Sequence, residues 1–305
     1  MYILKSPIKI IFSREMKTIN NSNTQDGMQA RDREGISRHC KIGQIMISNI
    51  VTVTPESTLY EAARKMGEKH IGSLIVIKYE TPVGIVTERD LLREVVDKEI
   101  ALEKDWLAGG VTIKEEKIEK IMSYPLITIP LKSSIKEAAQ KMIEKRIRRL
   151  GVTESGKLVG IVTAADLIRC LPETPESMRV WFEVDYFMSK SVIAADEETS
   201  VEDVARIMGE KSIGSVIVTS HGKPIGIFTE RDLLTKFLAK DQSLKIEVGK
   251  VCSSPLITAP LGISIHDAAA IMASKRIKRL PITNKGKLSG ILSARDLVEA
   301  YARTK

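Results

Sequence analysis

The 305-residue chain repeats one unit four times, and that periodicity constrains its fold more than any other feature. The copies end in Gly84-Ile85-Val86-Thr87-Glu88-Arg89-Asp90, Gly160-Ile161-Val162-Thr163-Ala164-Ala165-Asp166, Gly226-Ile227-Phe228-Thr229-Glu230-Arg231-Asp232 and Gly290-Ile291-Leu292-Ser293-Ala294-Arg295-Asp296. A methionine lies 24 positions before each aspartate (Met66, Met142, Met208, Met272), and an aliphatic residue lies 31 before it (Leu59, Ile135, Val201, Ile265). Copy one matches copy three at Ile71-Gly72-Ser73 and Ile213-Gly214-Ser215. Copy two matches copy four at Arg146-Ile147-Arg148-Arg149-Leu150 and Arg276-Ile277-Lys278-Arg279-Leu280. The order is ABAB, so the working unit is a pair.

Leu59, Ala62, Ala63 and Met66 follow the i, i+3, i+4, i+7 spacing of an amphipathic helix, and the other copies repeat it. A short strand precedes that helix (Val51-Thr52-Val53; Leu126-Ile127-Thr128). Two strands follow, joined by turns such as Glu154-Ser155-Gly156-Lys157 and Asn284-Lys285-Gly286-Lys287, and a second helix starts at the Thr or Ser. The expected fold is α/β (α+β), built of four β-α-β-β-α units. At about 55 residues one unit is too small to be comfortable alone, so pairing is expected to bury the apolar face it leaves open.

Composition removes several function classes. Of the net charge of +8, residues 1–41 carry +4, from eight basic and four acidic residues. The remainder therefore needs no nucleic-acid face. The lead-in is read as disordered, and Lys5, Lys9, Arg14, Lys17 and Arg31 make it a candidate nucleic-acid-binding arm. Aromatic residues are few, and Trp181, Phe182, Tyr186 and Phe187 cluster between the halves, where they are expected to form inter-module core. Cys40, Cys170 and Cys252 suggest neither a disulfide framework nor a metal pair, no long apolar run predicts a membrane span, and a cytoplasmic location is expected. No motif pairs a nucleophile with a base, so neither an enzyme nor a catalytic residue is expected.

The [ST]-x-x-D run between a strand and a helix supports two chemistries. A hydroxyl at the N-cap with an acid at N3 is a capping box. The same helix start presents free N–H groups to an anion, and its carboxylate can accept both hydroxyls of a ribose. The glycines six positions before each aspartate serve either ligand approach or strand packing. Arg148-Arg149 and Lys278-Arg279 stand at the start of a strand. Alternation there would turn one of each pair inward, where a cation needs an anionic partner.

These residues resemble the cystathionine-beta-synthase (CBS) domain family, as four repeats at 42–98, 118–172, 184–240 and 248–302 paired by pseudo-twofold symmetry into two Bateman modules. The resemblance implies an adenosine-ligand sensor without catalytic cofactor, binding AMP, ADP or ATP, with S-adenosylmethionine, NAD or nucleic acid in some members. It implies a protein target regulated through module packing, and a homodimer is compatible with it. Carried over, ribose and phosphate contacts fall to Thr87, Asp90, Thr163, Asp166, Thr229, Asp232, Ser293 and Asp296. Phosphate falls to Arg148, Arg149, Lys278 and Arg279, and adenine to the backbone at Ile71, Ile147, Ile213 and Ile277. Within a module the bases of one repeat serve the other repeat's aspartate. Pockets on Asp90 and Asp232 are therefore expected to be cationic, and those on Asp166 and Asp296, facing Gly72-Ser73 and Gly214-Ser215, to lack that charge. Arg89, Arg231 and Arg295 supplement either class.

Overall fold

The computed structural model describes residues 41–102, 115–170 and 183–303. The basic arm, Cys40, Trp181 and Phe182 lie outside them. Each repeat opens with a short helical turn (Ile42–Ile45, Ile118–Ile121, Val184–Tyr186 or Val248–Lys250) and then holds three strands and two main helices. The first comprises β1 (Thr52–Val53), α1 (Leu59–Lys69), β2 (Ser73–Lys78), β3 (Thr81–Thr87) and α2 (Glu88–Leu102). The second comprises β4 (Thr128–Pro130), α3 (Ile135–Glu144), β5 (Arg149–Glu154), β6 (Lys157–Thr163) and α4 (Ala164–Ile168). The third comprises β7 (Ala194–Asp196), α5 (Val201–Glu210), β8 (Ser215–Ser220), β9 (Lys223–Thr229) and α6 (Glu230–Lys236). The fourth comprises β10 (Ala259–Pro260), α7 (Ile265–Ser274), β11 (Arg279–Asn284), β12 (Lys287–Ser293) and α8 (Ala294–Arg303). In every sheet the first strand runs parallel to the second, and the second and third form an antiparallel hairpin. The strand β4 begins at Thr128, two residues beyond the expected start at Leu126.

The first main helix of each repeat starts at a Ser or Thr N-cap, Thr58, Ser134, Ser200 or Ser264, whose hydroxyl accepts the N–H of an acid three residues on. The apolar stripe read from the sequence is buried: Leu59, Ala62, Ala63 and Met66 are each at most 1% exposed. Repeats one and two are joined by reciprocal backbone bridges, Ile85 with Ser123 and Ile47 with Ile161. Repeats three and four repeat this with Ile227–Ser253 and Ser189–Ile291. This exchange makes each pair a pseudo-twofold module.

The signature glycines belong to the same exchange. A Cβ on Gly84 would sit 2.7 Å from the Ser123 carbonyl oxygen, and one on Gly226 would sit 2.6 Å from Cys252 Sγ. Close approach of the neighbouring repeat therefore accounts for these glycines.

The helices pack differently from the expectation of a core within each pair. One core joins repeats one and three, including Met66, Val95, Met208 and Phe228; the other joins repeats two and four, including Met142, Leu167, Met272 and Leu297. The helices α1 and α2 lie against α5 and α6, whereas α3 and α4 lie against α7 and α8. The apolar faces are thus buried between modules. Phe187 joins the second core, with the Arg303 guanidinium 6.0 Å from its ring centre, but Tyr186 is 72% exposed and takes no part.

Candidate functional site

With the modules packed helix to helix, the strand ends that precede α2, α4, α6 and α8 converge on the centre of the molecule. Each signature aspartate is first a helix cap. Asp90 Oδ2 accepts from Thr87 N at 2.9 Å and Thr87 Oγ1 at 2.7 Å. Asp166 Oδ2 accepts from Thr163 at 2.8 and 2.7 Å, and Asp232 Oδ2 from Thr229 at 3.0 and 2.6 Å. Asp296 Oδ2 accepts from Ser293 N at 2.7 Å. Capping commits one oxygen of each carboxylate, so any ligand competes for the other.

The four aspartates differ at that second oxygen. Arg93, 63% exposed, reaches Asp90 Oδ1 at 3.2 Å, and the similarly exposed Arg169 pairs with Asp166 Oδ1. Such solvent-screened pairs contribute little and yield readily. Asp232 Oδ1 is held harder: Lys236 Nζ lies at 2.7 Å, Ser253 Oγ at 3.3 Å, and Lys236 Nζ also donates to the Val251 carbonyl at 2.6 Å. Asp296 forms no ion pair among the described residues. Burial pushes its carboxyl above the usual range against the backbone hydrogen bond of Ser293, and Glu299 adds to the rise.

Two cavities open at the centre. The first, of about 420 Å³, is lined by Thr87, Asp90, Arg148, Arg149, Ile147, Ile213, Ser293 and Asp296 among others. The second, of about 400 Å³, is lined by Thr163, Asp166, Ile71, Ile277, Lys278 and Arg279, with Arg148 and Arg149 again at its inner wall. Thr229 and Asp232 line neither. Each candidate adenine position donates its N–H to a methionine carbonyl (Ile71 to Met66, Ile147 to Met142, Ile213 to Met208, Ile277 to Met272). Only the carbonyl of these isoleucines is therefore free to meet an adenine amino group.

The expected charge asymmetry between pockets is not what the packing produces. The Asp166 cavity is lined by Arg148, Arg149, Arg231, Lys278 and Arg279, and the Asp296 cavity by Arg89, Arg148, Arg149, Arg279 and Arg295. The expectation treated each module alone, whereas the helix-to-helix packing brings cations of both modules to each cavity. Gly72 and Gly214 do leave room, but Arg149 and Arg279 fill it: Arg149 donates to the Gly72 carbonyl at 3.0 Å, and a Cβ on Gly214 would collide with Arg279. Strand alternation does not divide these pairs either. The strands begin at Arg149 and Arg279, so Arg148 and Lys278 precede the pleat and also face the centre.

Glu88 and Glu230, 7% and 6% exposed, anchor this cationic core. Arg89 Nε meets Glu230 Oε1 at 2.8 Å, and Arg231 Nε meets Glu88 Oε1 at 2.9 Å, a reciprocal clasp between modules. Arg279 adds a contact to Glu230 Oε2 at 3.3 Å. Burial raises the Glu230 carboxyl, but Arg279, Arg89 and Arg148 outweigh it, and its pKa falls below the usual range. Two carboxylates do not balance the cations around them. Burial and the neighbouring Arg89 lower Arg148 to about 10, and desolvation within the crowded cleft lowers Lys278 to about 8. Both stay charged near pH 7, and cations destabilised by desolvation and by one another favour an incoming anion. The two glutamates were missed at the sequence level. Their signal was the Glu-Arg of copies one and three, where copies two and four have Ala164-Ala165 and Ala294-Arg295.

A duplicated pair of small β-α-β-β-α units with polar clefts at its centre defines a tandem-repeat protein of two paired modules. The chain belongs to the CBS domain family, whose description matches residues 42–97, 118–173, 183–239 and 248–303. It is 25% identical over 283 residues to the uncharacterized protein MJ1225 of Methanocaldococcus jannaschii, covering 83% of this chain and 95% of that one. It is 35% identical over 137 residues to the uncharacterized protein MK0525 of Methanopyrus kandleri, covering 44% of this chain and 64% of that one. The crystal structure of MJ1225 superposes with a TM-score of 0.67 at 22% identity, covering 86% of this chain and all of that one. An uncharacterized conserved protein of Pyrococcus horikoshii superposes with a TM-score of 0.57 at 23% identity, with the same coverage. Among the described residues no helix is long and apolar enough to cross a membrane, and no cluster of His, Cys, Asp and Glu is arranged to hold a metal.

Proposed function

We propose that the protein is a non-catalytic adenine-nucleotide sensor that binds AMP, ADP or ATP at its centre and regulates a protein target. One observation carries this reading: each central cavity brings together a helix-start carboxylate and hydroxyl, an isoleucine-lined wall and a surplus of arginine. Those groups match in turn a ribose diol, a base and a phosphate. Asp90, Asp166 and Asp296, with Thr87, Thr163 and Ser293, would hold the ribose; Arg148, Arg149, Lys278 and Arg279 would hold phosphate. Asp232 with Thr229 would be the poorest site, because Lys236 already occupies its second oxygen. Nucleotide bound where both modules contribute cations would favour one packing of the modules over another through its differential affinity for the two states.

A thermal-shift titration of the whole chain against AMP, ADP, ATP, S-adenosylmethionine and NAD tests it. A ligand at 100 times its dissociation constant stabilises by about 2.7 kcal/mol. Stabilisation by an adenine nucleotide that is reduced in Asp296→Asn and lost when Asp90, Asp166 and Asp296 are all replaced by Asn supports the reading. Response to S-adenosylmethionine alone, or to none of the five, contradicts it.

A further inference from the structure

The two central cavities take their positive charge from arginine, with one exception. Among the described residues Lys278 is the only lysine that lines either of them, and it lines the second alone. It stands just before β11, where copy two has Arg148, and its neighbours crowd its side chain without covering it. Nine cationic residues and three acidic ones line this cavity, so carboxylates are the scarce partner. Glu88 and Glu230 are committed to the clasp, and Asp166 to Thr163 and Arg169. Lys278 forms no ion pair among the described residues. Desolvation, with Arg231, Arg149 and Arg279 opposing the pull of Glu88, holds it at about 8. An ordinary lysine lies at about 10.4, so Lys278, though mostly charged near neutral pH, presents roughly 100 times more free amine.

A free amine beside a surplus of cations suits an electrophile that becomes an anion on addition. Carbon dioxide does so, whereas an acyl donor would leave a neutral amide and give the arginines no charge to pair with. The Arg148 guanidinium keeps its proton and lacks this chemistry. We propose that Lys278 is a reversible carbamylation site, whose amine adds carbon dioxide and carries the carbamate among Arg149, Arg231 and Arg279. The nitrogen lone pair forms the new C–N bond, one C–O π pair moves onto oxygen, and the nitrogen proton leaves to solvent, so no further reactant is needed. The addition turns a cation into an anion in one cavity and leaves the other, which has no lysine, unmodified. It stands apart from the nucleotide reading. Only its opposition to nucleotide, by excluding phosphate from the same arginines, rests on that reading.

Chemical trapping tests this. The intact chain is equilibrated near neutral pH with carbon dioxide and bicarbonate, treated with triethyloxonium, which ethylates a carbamate oxygen, and digested for peptide mass spectrometry. The expected result is an ethyl carbamate on Lys278 at least about tenfold above that on any surface lysine, as the larger free-amine fraction requires. It should vanish without carbon dioxide and in Lys278→Arg, whose melting temperature checks its folding; the site assignment on the wild type needs no variant. Saturating AMP should suppress the label. Label on Lys278 no stronger than on surface lysines overturns the inference, whether or not AMP binds. Label that persists in a chain shown by thermal shift to bind AMP overturns the opposition to nucleotide. Label present in a chain that binds none of the nucleotides upholds the carbamate and overturns the nucleotide reading alone.

Discussion

Replacing Glu230 with glutamine removes one charge from the clasp between modules at nearly constant shape. Glu230 is 6% exposed and pairs with Arg89 at 2.8 Å and Arg279 at 3.3 Å. Breaking a buried ion pair from one side typically costs about 3–5 kcal/mol, because the remaining charge stays buried. Arg89 is 40% exposed and its share is screened, whereas Arg279, at 15%, keeps most of its cost. The net expectation is a loss of about 2–3 kcal/mol, or a melting temperature lower by roughly 4–12 °C at 2–4 °C per kcal/mol. A bound phosphate would neutralise the same arginines, so saturating AMP should restore part of the loss and shift the variant further than the wild type. Differential scanning fluorimetry at low ionic strength, with and without AMP, reads both effects. A fall below about 1 °C, or a fall unchanged by AMP, refutes the reasoning.

Three further outcomes follow from named contacts. Lys236→Ala frees Asp232 Oδ1 and should add one AMP per chain in calorimetry; unchanged stoichiometry contradicts the assignment of Lys236 as the occupant. Lys278, lowered to about 8 by burial, is charged below that pH and neutral above it, so nucleotide affinity at its cavity should fall as pH rises through 8. At pH 8 binding should take up protons, giving heats that vary with the ionisation enthalpy of the buffer, and Lys278→Met should remove that variation. Gly84→Ala places a Cβ 2.7 Å from the Ser123 carbonyl oxygen and should cost about 1–3 kcal/mol in urea unfolding; a cost below about 0.5 kcal/mol would show that the two repeats part easily.

The local architecture was legible because it rests on short-range chemistry. The spacing of Leu59, Ala62, Ala63 and Met66 defined a helix face, and the hairpin turn at Ser155-Gly156 appears with both residues at positive φ, 49° and 79°. The centre was less legible because it depends on how modules pack. Arg148 and Arg149 were read through strand alternation, but the strand begins one residue too late for that rule to divide them. Glu88 and Glu230 drew no reading from the sequence, because only the packing of α1 and α2 on α5 and α6 brings each to an arginine of the other module. Lys236, four residues after Asp232 on the same helix, stands at ion-pairing spacing, a signal confined to copy three since copies one, two and four have Glu94, Cys170 and Ala300 there.

A crystal soaked in AMP decides the central matter, whether a carboxylate that caps its helix with one oxygen grips a sugar with the other. Density for a ribose whose hydroxyls lie within hydrogen-bond distance of Asp296 Oδ1, with the phosphate among Arg148, Arg149 and Arg279, is the predicted result. Empty clefts at saturating AMP, or nucleotide bound away from all four aspartates, would contradict it.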